Sequence, residues 1–84
     1  MSEDDSDIGA IRFSLTLFDE NKANNWLENR GFKTKYYNKP PQYSCRYLYY
    51  LQKCPNRYSR KMLYETIEEG IDIVWFFKKT TPFK

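Results

Sequence analysis

The segment AIRFSLTLFDENKANNWLENRG, residues 10–31, decides the fold that the sequence predicts. Every second residue from Ile11 to Leu17 is apolar, which is typical of a strand that buries one face. Asp19 then offers a side chain that can cap a helix, and Gly31 offers the left-handed residue that commonly ends one. The segment therefore predicts a strand followed directly by a helix.

The remaining sequence predicts four further elements. Pro40 and Pro41 end the strand that follows the helix, because proline cannot donate ladder hydrogen bonds. A tyrosine-rich run and the apolar run near the end of the chain both have high strand propensity. Between them Ser59, or Asn56 one turn earlier, can cap a second helix that ends at Gly70. In chain order the predicted elements are a strand over 10–18, a helix over 20–30, strands over 32–39 and 43–52, a helix over 59–70 and a strand over 71–79.

This order predicts an α+β fold, a two-layer sandwich in which two helices cover one face of a four-stranded antiparallel sheet. The β-α-β-β-α-β order resembles the ferredoxin-like fold, which carries many unrelated functions. One domain of this kind is expected over residues 9–84, after a flexible acidic leader at residues 1–8. Helix packing is expected to bury the alternate residues Ile11, Phe13, Leu15, Leu17, Ile71, Ile73, Trp75 and Phe77.

The composition argues against an enzyme. The 84 residues contain no histidine, the most frequent general base and a common metal ligand. The three glycines stand far apart, so no glycine-rich phosphate loop can form. No catalytic residue, cofactor, metal ion or small-molecule substrate is therefore expected.

The two cysteines and the hydropathy of the chain predict a cytoplasmic protein. Cys45 and Cys54 flank a predicted strand whose length would hold them roughly 30 Å apart, beyond the reach of a disulfide. Free thiols are typical of a reducing compartment. No segment approaches the ~18–20 apolar residues of a membrane span, and the acidic N-terminus lacks the apolar region of a secretory signal.

The sheet face that the helices leave uncovered is the expected binding surface. Cations and aromatic rings interleave there, with Asp72 as the only acid. Such a surface suits single-stranded nucleic acid, because cations neutralise phosphates and rings stack on bases. Phe18, Leu48 and Val74 are expected on the same face. The residues expected to contact the ligand are Arg12, Lys33, Lys35, Tyr37, Lys39, Arg46, Tyr50, Phe76 and Lys78.

The phase of the third strand decides which of its side chains join this face. The preferred phase places Arg46, Leu48 and Tyr50 on the open face. A shift of one residue would exchange the two faces of the strand. The side chains then brought to the open face would be Tyr47, Tyr49 and Leu51.

In the preferred phase, Arg46, Leu48 and Tyr50 occupy the first, third and fifth positions of a basic and aromatic strand pattern. Leu48 replaces the first aromatic residue of that consensus, both of its glycines are missing, and the first strand offers Arg12 and Ser14 in place of an aromatic residue. The arrangement resembles the RNA recognition motif, whose sheet face stacks bases on aromatic side chains of its first and third strands. The resemblance implies that the open face binds single-stranded nucleic acid.

A protein partner is the alternative. Leu48, Val74 and Phe76 are apolar enough that the open face could be the seam of a homodimer, or could be covered by Phe83 near the C-terminus. A small chain rich in lysine, asparagine and tyrosine also fits an inhibitor, encoded by a virus or a mobile element, that docks on a host protein. The sequence leaves open whether the module binds nucleic acid or protein.

Overall fold

The computed structural model describes residues 6–37 and 39–78. These residues form one helix and a single five-stranded antiparallel sheet with the strand order β2-β3-β1-β5-β4. The predicted ferredoxin-like sandwich of four strands and two helices is therefore wrong. In chain order the elements are β1 (Ser6–Ser14), α1 (Glu20–Asn29), β2 (Gln42–Tyr43), β3 (Tyr47–Leu51), β4 (Tyr58–Glu68) and β5 (Ile71–Lys78).

Helix α1 forms where the sequence predicts it and begins at the predicted cap. The Asp19 side chain accepts a hydrogen bond of 2.8 Å from the backbone N–H of Lys22. Gly31 adopts φ +78° just after the helix, as a left-handed residue at its end should. Ala23 and Leu27 are the buried residues of α1 and join it to the core on one face of the sheet.

The second predicted helix is wrong, because residues 58–68 form strand β4, which pairs with β5. Tyr64 and Thr66 have high strand propensity. Glu69 and Gly70 form a two-residue turn between the two strands, with Gly70 at φ +82°. A glycine in such a turn favours a hairpin. The residue interpreted as the end of a helix therefore reverses the chain instead.

The predicted strand over residues 32–39 is also wrong. Its described residues contribute only an isolated bridge between Tyr36 and Lys39. Strand β1 already pairs with β3 on one side and with β5 on the other, so no central position remains. Tyr37 adopts φ +53°, which interrupts an extended backbone. The described chain between α1 and β2 is therefore a loop.

The main core lies between α1 and the sheet. Leu17 was expected in it but is 44% exposed, because β1 ends at Ser14 and the chain turns there. Leu15 and Trp75 are only partly buried against the core. The predicted burial of Ile11, Phe13, Ile71 and Ile73 is confirmed. The buried members of the core are Ile11, Phe13, Ala23, Leu27, Leu48, Tyr50, Ile71 and Ile73.

Strand β3 adopts the phase opposite to the preferred one. Its register pairs Leu48 with Phe13 and Tyr50 with Ile11. Cross-strand partners share a face, so burial of the β1 side chains carries their β3 partners beneath α1. The preferred phase is therefore wrong. The side chains that β3 presents on the open face are Tyr47, Tyr49 and Leu51.

A smaller apolar cluster lies on the open face beside a bulge in β1. The pairing of β1 with β5 shifts between Ile8 and Ala10. The ring of Phe76 lies so close to Gly9 that a Cβ built at this position would overlap it. Ala10, Val74 and Phe76 are buried together there. The Phe76 ring can therefore pack in this position only because Gly9 has no side chain.

The chain ends bear on two further expectations. Strand β1 begins at Ser6, so the last three residues of the expected leader at 1–8 belong to the sheet. Residues 1–5 lie outside the described part of the chain, as does Phe83, which was one alternative for covering the open face. Within residues 6–37 and 39–78, no helix combines the length and the apolar character needed to cross a membrane.

Candidate nucleic-acid interface

The sheet face opposite α1 is aromatic rather than cationic. Tyr47 and Tyr49 of β3 lie on it with Tyr64 of β4, on either side of Arg12. The rest of this face is mostly apolar. Its further members are Ala10, Leu51, Met62, Val74 and Phe76.

Arg12, one of the cations expected on this surface, already forms an ion pair within the protein. Its Nε donates a hydrogen bond of 2.8 Å to Asp72, and its Nη2 donates to the same carboxylate oxygen. The guanidinium carbon lies 4.1 Å from the ring centroid of Tyr47 and 4.4 Å from that of Tyr64. Burial lowers the pKa of Arg12, but the hydrogen bonds and charge interactions with Asp72 and Tyr49 together outweigh burial and raise the pKa. The carboxylate therefore neutralises the cation that a phosphate would need.

Asp72 is in turn held in place from β4. The Thr66 hydroxyl donates a hydrogen bond of 2.7 Å to the second carboxylate oxygen of Asp72. With Arg12 on the other oxygen, both sides of the carboxylate are engaged by protein groups. The centre of the open face is therefore a closed polar network that links β1, β5 and β4.

The other predicted contact residues are spread over the molecule. Tyr50 is buried beneath α1, where burial raises the pKa of its phenol. Phe76 is buried over Gly9. Arg46 is exposed before β3, and Lys78 is exposed at the end of β5. These four side chains and Arg12 do not form one cationic surface.

Four predicted residues do come together, although on a loop and not on the sheet. Lys33, Lys35, Tyr37 and Lys39 all lie in the described chain between α1 and β2. Lys53, which follows β3, joins the first three of them at a surface depression of about 390 Å³, and Lys39 lies on an adjoining one. We call this surface the lysine–tyrosine patch. Its members are Lys33, Lys35, Tyr36, Tyr37, Lys39 and Lys53.

Gln52 fixes the loop that carries the patch. Its side-chain oxygen accepts a hydrogen bond of 2.9 Å from the backbone N–H of Lys33, and its amide nitrogen donates one of 2.9 Å to the Lys33 carbonyl. Gln52 itself is only 7% exposed and directly follows β3. These two hydrogen bonds resemble those between neighbouring strands, and they hold the Lys33 backbone against the sheet. Sequence reasoning missed the role of Gln52, because only the fold brings residues 33 and 52 together.

Two tyrosine rings form the outer wall of the patch. The ring centroids of Tyr36 and Tyr37 lie 4.5 Å apart at an angle of 65°. The Lys33 ammonium lies 5.3 Å from the Tyr36 centroid. Tyr37 is 80% exposed, and its φ of +53° is costly for a residue with a large side chain. The backbone thus holds the exposed ring of Tyr37 against Tyr36, whose own ring lies beside the Lys33 ammonium.

A second depression continues the patch toward β2. It encloses about 260 Å³ and shares Lys35 and Tyr36 with the first depression. Lys39, Pro41 and Tyr49 line its far side. The two depressions together make a path around the loop, bordered by lysines and tyrosine rings.

A signal in the sequence marks this surface, although strand alternation does not reveal it. Residues 29–64 contain no aspartate or glutamate, although the chain has 11 of these residues. All eight tyrosines lie in the same segment. The middle of the chain therefore differs from both ends in its lack of acidic residues and in its tyrosine content. The cations of the segment are Arg30, Lys33, Lys35, Lys39, Arg46, Lys53, Arg57, Arg60 and Lys61.

A scan of the chain against protein-family models found no matching family, and searches of curated proteins and of solved structures found no matching chain.

Proposed function

We propose that this protein is a small, non-enzymatic binding module for single-stranded nucleic acid, and that its contact surface is the lysine–tyrosine patch. One observation carries the proposal: Lys33, Lys35 and Lys53 border the same depression as the rings of Tyr36 and Tyr37. No acidic side chain occurs among the residues that line it.

The chemistry of the patch matches the two needs of a single strand. Lysine ammonium groups neutralise phosphates and release their condensed counterions. Exposed rings stack on unpaired bases, which contributes about 1–3 kcal/mol per base. In a duplex the bases are already stacked and paired, so only the phosphate contacts would remain. The proposal therefore includes a preference for single strands over duplexes of equal length.

The proposal places this module in the cytoplasm and assigns it no reaction. Cys45 and Cys54 are both free thiols, a state that suits a reducing compartment. The chain contains no histidine, so the usual general base is missing from any reaction it could perform. Recognition by charge and stacking needs neither a cofactor nor a metal ion.

Reversing two patch lysines should weaken binding strongly. The change is Lys35→Glu together with Lys53→Glu, both at exposed positions on the first depression. We expect the affinity for a labelled twelve-nucleotide single strand to fall at least about tenfold, because two phosphate contacts are lost and two repulsions appear. We also expect the slope of log affinity against log salt to become shallower by about 1.4. Fluorescence anisotropy at several salt concentrations measures both quantities.

The matched control reverses two cations outside the acid-free segment. Lys22→Glu with Lys78→Glu produces the same net charge, and both positions are exposed. This control should keep most of the affinity. If both double variants lose the same affinity, the loss reflects net charge and not the patch. If the affinity of the wild-type protein does not depend on salt, the proposal is refuted.

Tyr37→Asn should separate binding from stability. Asparagine tolerates positive φ better than tyrosine, so the free energy of unfolding should stay constant or rise by up to about 1 kcal/mol. Loss of the exposed ring should nevertheless weaken single-strand binding about fivefold or more. Urea unfolding and anisotropy on the same sample test the two halves. Unchanged binding would show that the ring does not stack on the ligand.

Docking on another protein is the second candidate function, and strand β4 favours it. This edge strand is exposed along nearly its whole length. Its sequence indicates a particular occupant, which is a second copy of the chain.

A further inference from the structure

The two edges of the sheet are very different. At one edge, β2 has only two residues and directly follows the proline pair 40–41. The short length and the prolines both discourage pairing with another strand. At the other edge, β4 has 11 residues, contains no proline and pairs only with β5 within the described chain. Long apolar edges of this kind are templates for strand pairing.

Large apolar side chains lie on both faces of this edge. Met62 and Tyr64 point to the open face and are 42% and 46% exposed. Leu63 points to the helix side and is 55% exposed, and Ile67 is 43% exposed. Helix α1 packs over β1, β3 and β5 and leaves β4 uncovered. The apolar area of these four β4 side chains would be removed from water if another strand paired with β4.

One pair of opposite charges in β4 is placed symmetrically about Leu63. Lys61 lies two residues before it and Glu65 lies two residues after it. The other two charged residues of β4, Arg60 and Glu68, have no charged counterpart at equal distance from Leu63. An antiparallel copy of the strand, turned about a twofold axis at Leu63, therefore places Lys61 opposite the partner's Glu65 and brings no like charges into register. A parallel copy would instead place like charges side by side.

We propose that two copies of this chain form a homodimer by antiparallel pairing of their β4 strands, centred on Leu63. The register places Leu63 opposite its own copy, and Met62 opposite the partner's Tyr64. It places Lys61 opposite the partner's Glu65, and the twofold axis repeats this ion pair. The two five-stranded sheets then form one continuous sheet of ten strands.

The paired charges already lie on one face of the protomer. Trp75 Nε1 donates a hydrogen bond of 3.0 Å to one carboxylate oxygen of Glu65, which holds this side chain on the helix side. The Lys61 ammonium lies 5.3 Å from the ring centroid of Phe77 on the same side. Residues opposite each other in antiparallel strands share a face, so Lys61 and the partner's Glu65 meet without rearrangement.

The bulges of β4 set the length of the pairing. Its register with β5 shifts between Tyr58 and Met62 and again between Thr66 and Glu68. The regular stretch from Met62 to Thr66 lies between these shifts and contains the centre at Leu63. The two bulges limit the length of the ladder. The pairing uses the β4 edge of both copies, and the short β2 edge offers no second template, so association should stop at a dimer.

The test is a charge exchange measured by sedimentation velocity on nuclease-treated protein. Wild-type protein should show a concentration-dependent dimer. Lys61→Glu alone and Glu65→Lys alone should each raise the dimer dissociation constant at least about tenfold, since each replaces two attractions by two repulsions. An equimolar mixture of the two variants restores both ion pairs between unlike chains. It should therefore dimerise about as tightly as the wild type.

The control uses the neighbouring charges, Arg60→Glu mixed with Glu68→Lys. These variants carry the same net charges as the test pair, but they would face each other only in a register centred on Tyr64. Their mixture should gain no such restoration. A monomeric wild type at every concentration would overturn the proposal and leave β4 to an unlike protein. Equal restoration in both mixtures would overturn the register.

This inference is independent of the proposed function, and the two can fail separately. The charge exchange uses residues of β4, whereas nucleic-acid binding is tested at Lys35 and Lys53 of the patch. The variant Lys35→Glu with Lys53→Glu should therefore dimerise like the wild type. Loss of the dimer in this variant would contradict the assignment of the interface to β4.

Discussion

Replacing Phe13 with alanine should lower the free energy of unfolding by about 3–5 kcal/mol. Phe13 is fully buried at the centre of the core. Its ring packs edge-on against Trp26 and Tyr50, with centroid distances of 5.7 and 5.5 Å. A chain of this length has a total stability of about 4–13 kcal/mol, so the loss is a large share of it. Urea unfolding followed by circular dichroism measures the change.

Leu17→Ala is the matched control for this prediction. Leu17 belongs to the same alternating run as Phe13, but it is 44% exposed in the turn after β1. We expect it to cost less than about 1 kcal/mol, because most of its surface is already in water. A similar loss at both positions would mean that β1 continues beyond Ser14 in solution.

Replacing Gly9 with alanine should cost about 3 kcal/mol, near the upper end for overpacking a core. The added methyl group would occupy the space of the Phe76 ring. Phe76 is itself buried and pairs with Met62 and Asp7 on its two sides, so it cannot move without disturbing the sheet. The measurement is again the free energy of unfolding in urea.

A second substitution distinguishes overlap from a general effect of losing glycine. Phe76→Leu removes part of the ring that meets the new methyl group, so the double variant should be more stable than the sum of the two losses by about 1 kcal/mol or more. Gly31→Ala is the backbone control. Its Cβ would meet no atom within 4 Å, and its φ of +78° should cost about 1–2 kcal/mol. Additive losses at Gly9 and Phe76 would contradict the overlap.

The predicted contact surface illustrates a general difficulty with sheets. Lys33, Lys35 and Lys39 were placed on a strand because they alternate with other residues over a short run. The three lysines lie in a loop instead, and the loop still brings them together around Tyr36. Their chemistry was therefore visible in the sequence, whereas their support by Gln52 was not.

Strand β3 shows why phase escapes a single sequence. Tyr47 to Leu51 are all aromatic or aliphatic, so neither face of this strand is marked by polar residues. Pairing with β1 settles the matter, because Ile11 and Phe13 are buried and their partners must share their side. Arg12 is affected in the same way. The sequence around Arg12 indicates a free cation. Only the register with β5 places the Asp72 carboxylate beside it.

The sequence by itself determined those features whose cause lies within a few neighbouring residues. These are the start of α1 at Asp19, the strand of β5, the burial of Ile11 and Phe13, and the concentration of cations and tyrosines in residues 29–64. The tertiary structure alone decided that residues 58–68 pair with β5 instead of coiling, which face β3 buries, and which cations remain free. The physical reason is that strand pairing and charge neutralisation are contacts between distant residues. Local pattern fixes what a segment can form, and the partner that satisfies its backbone and its charges fixes what it does form.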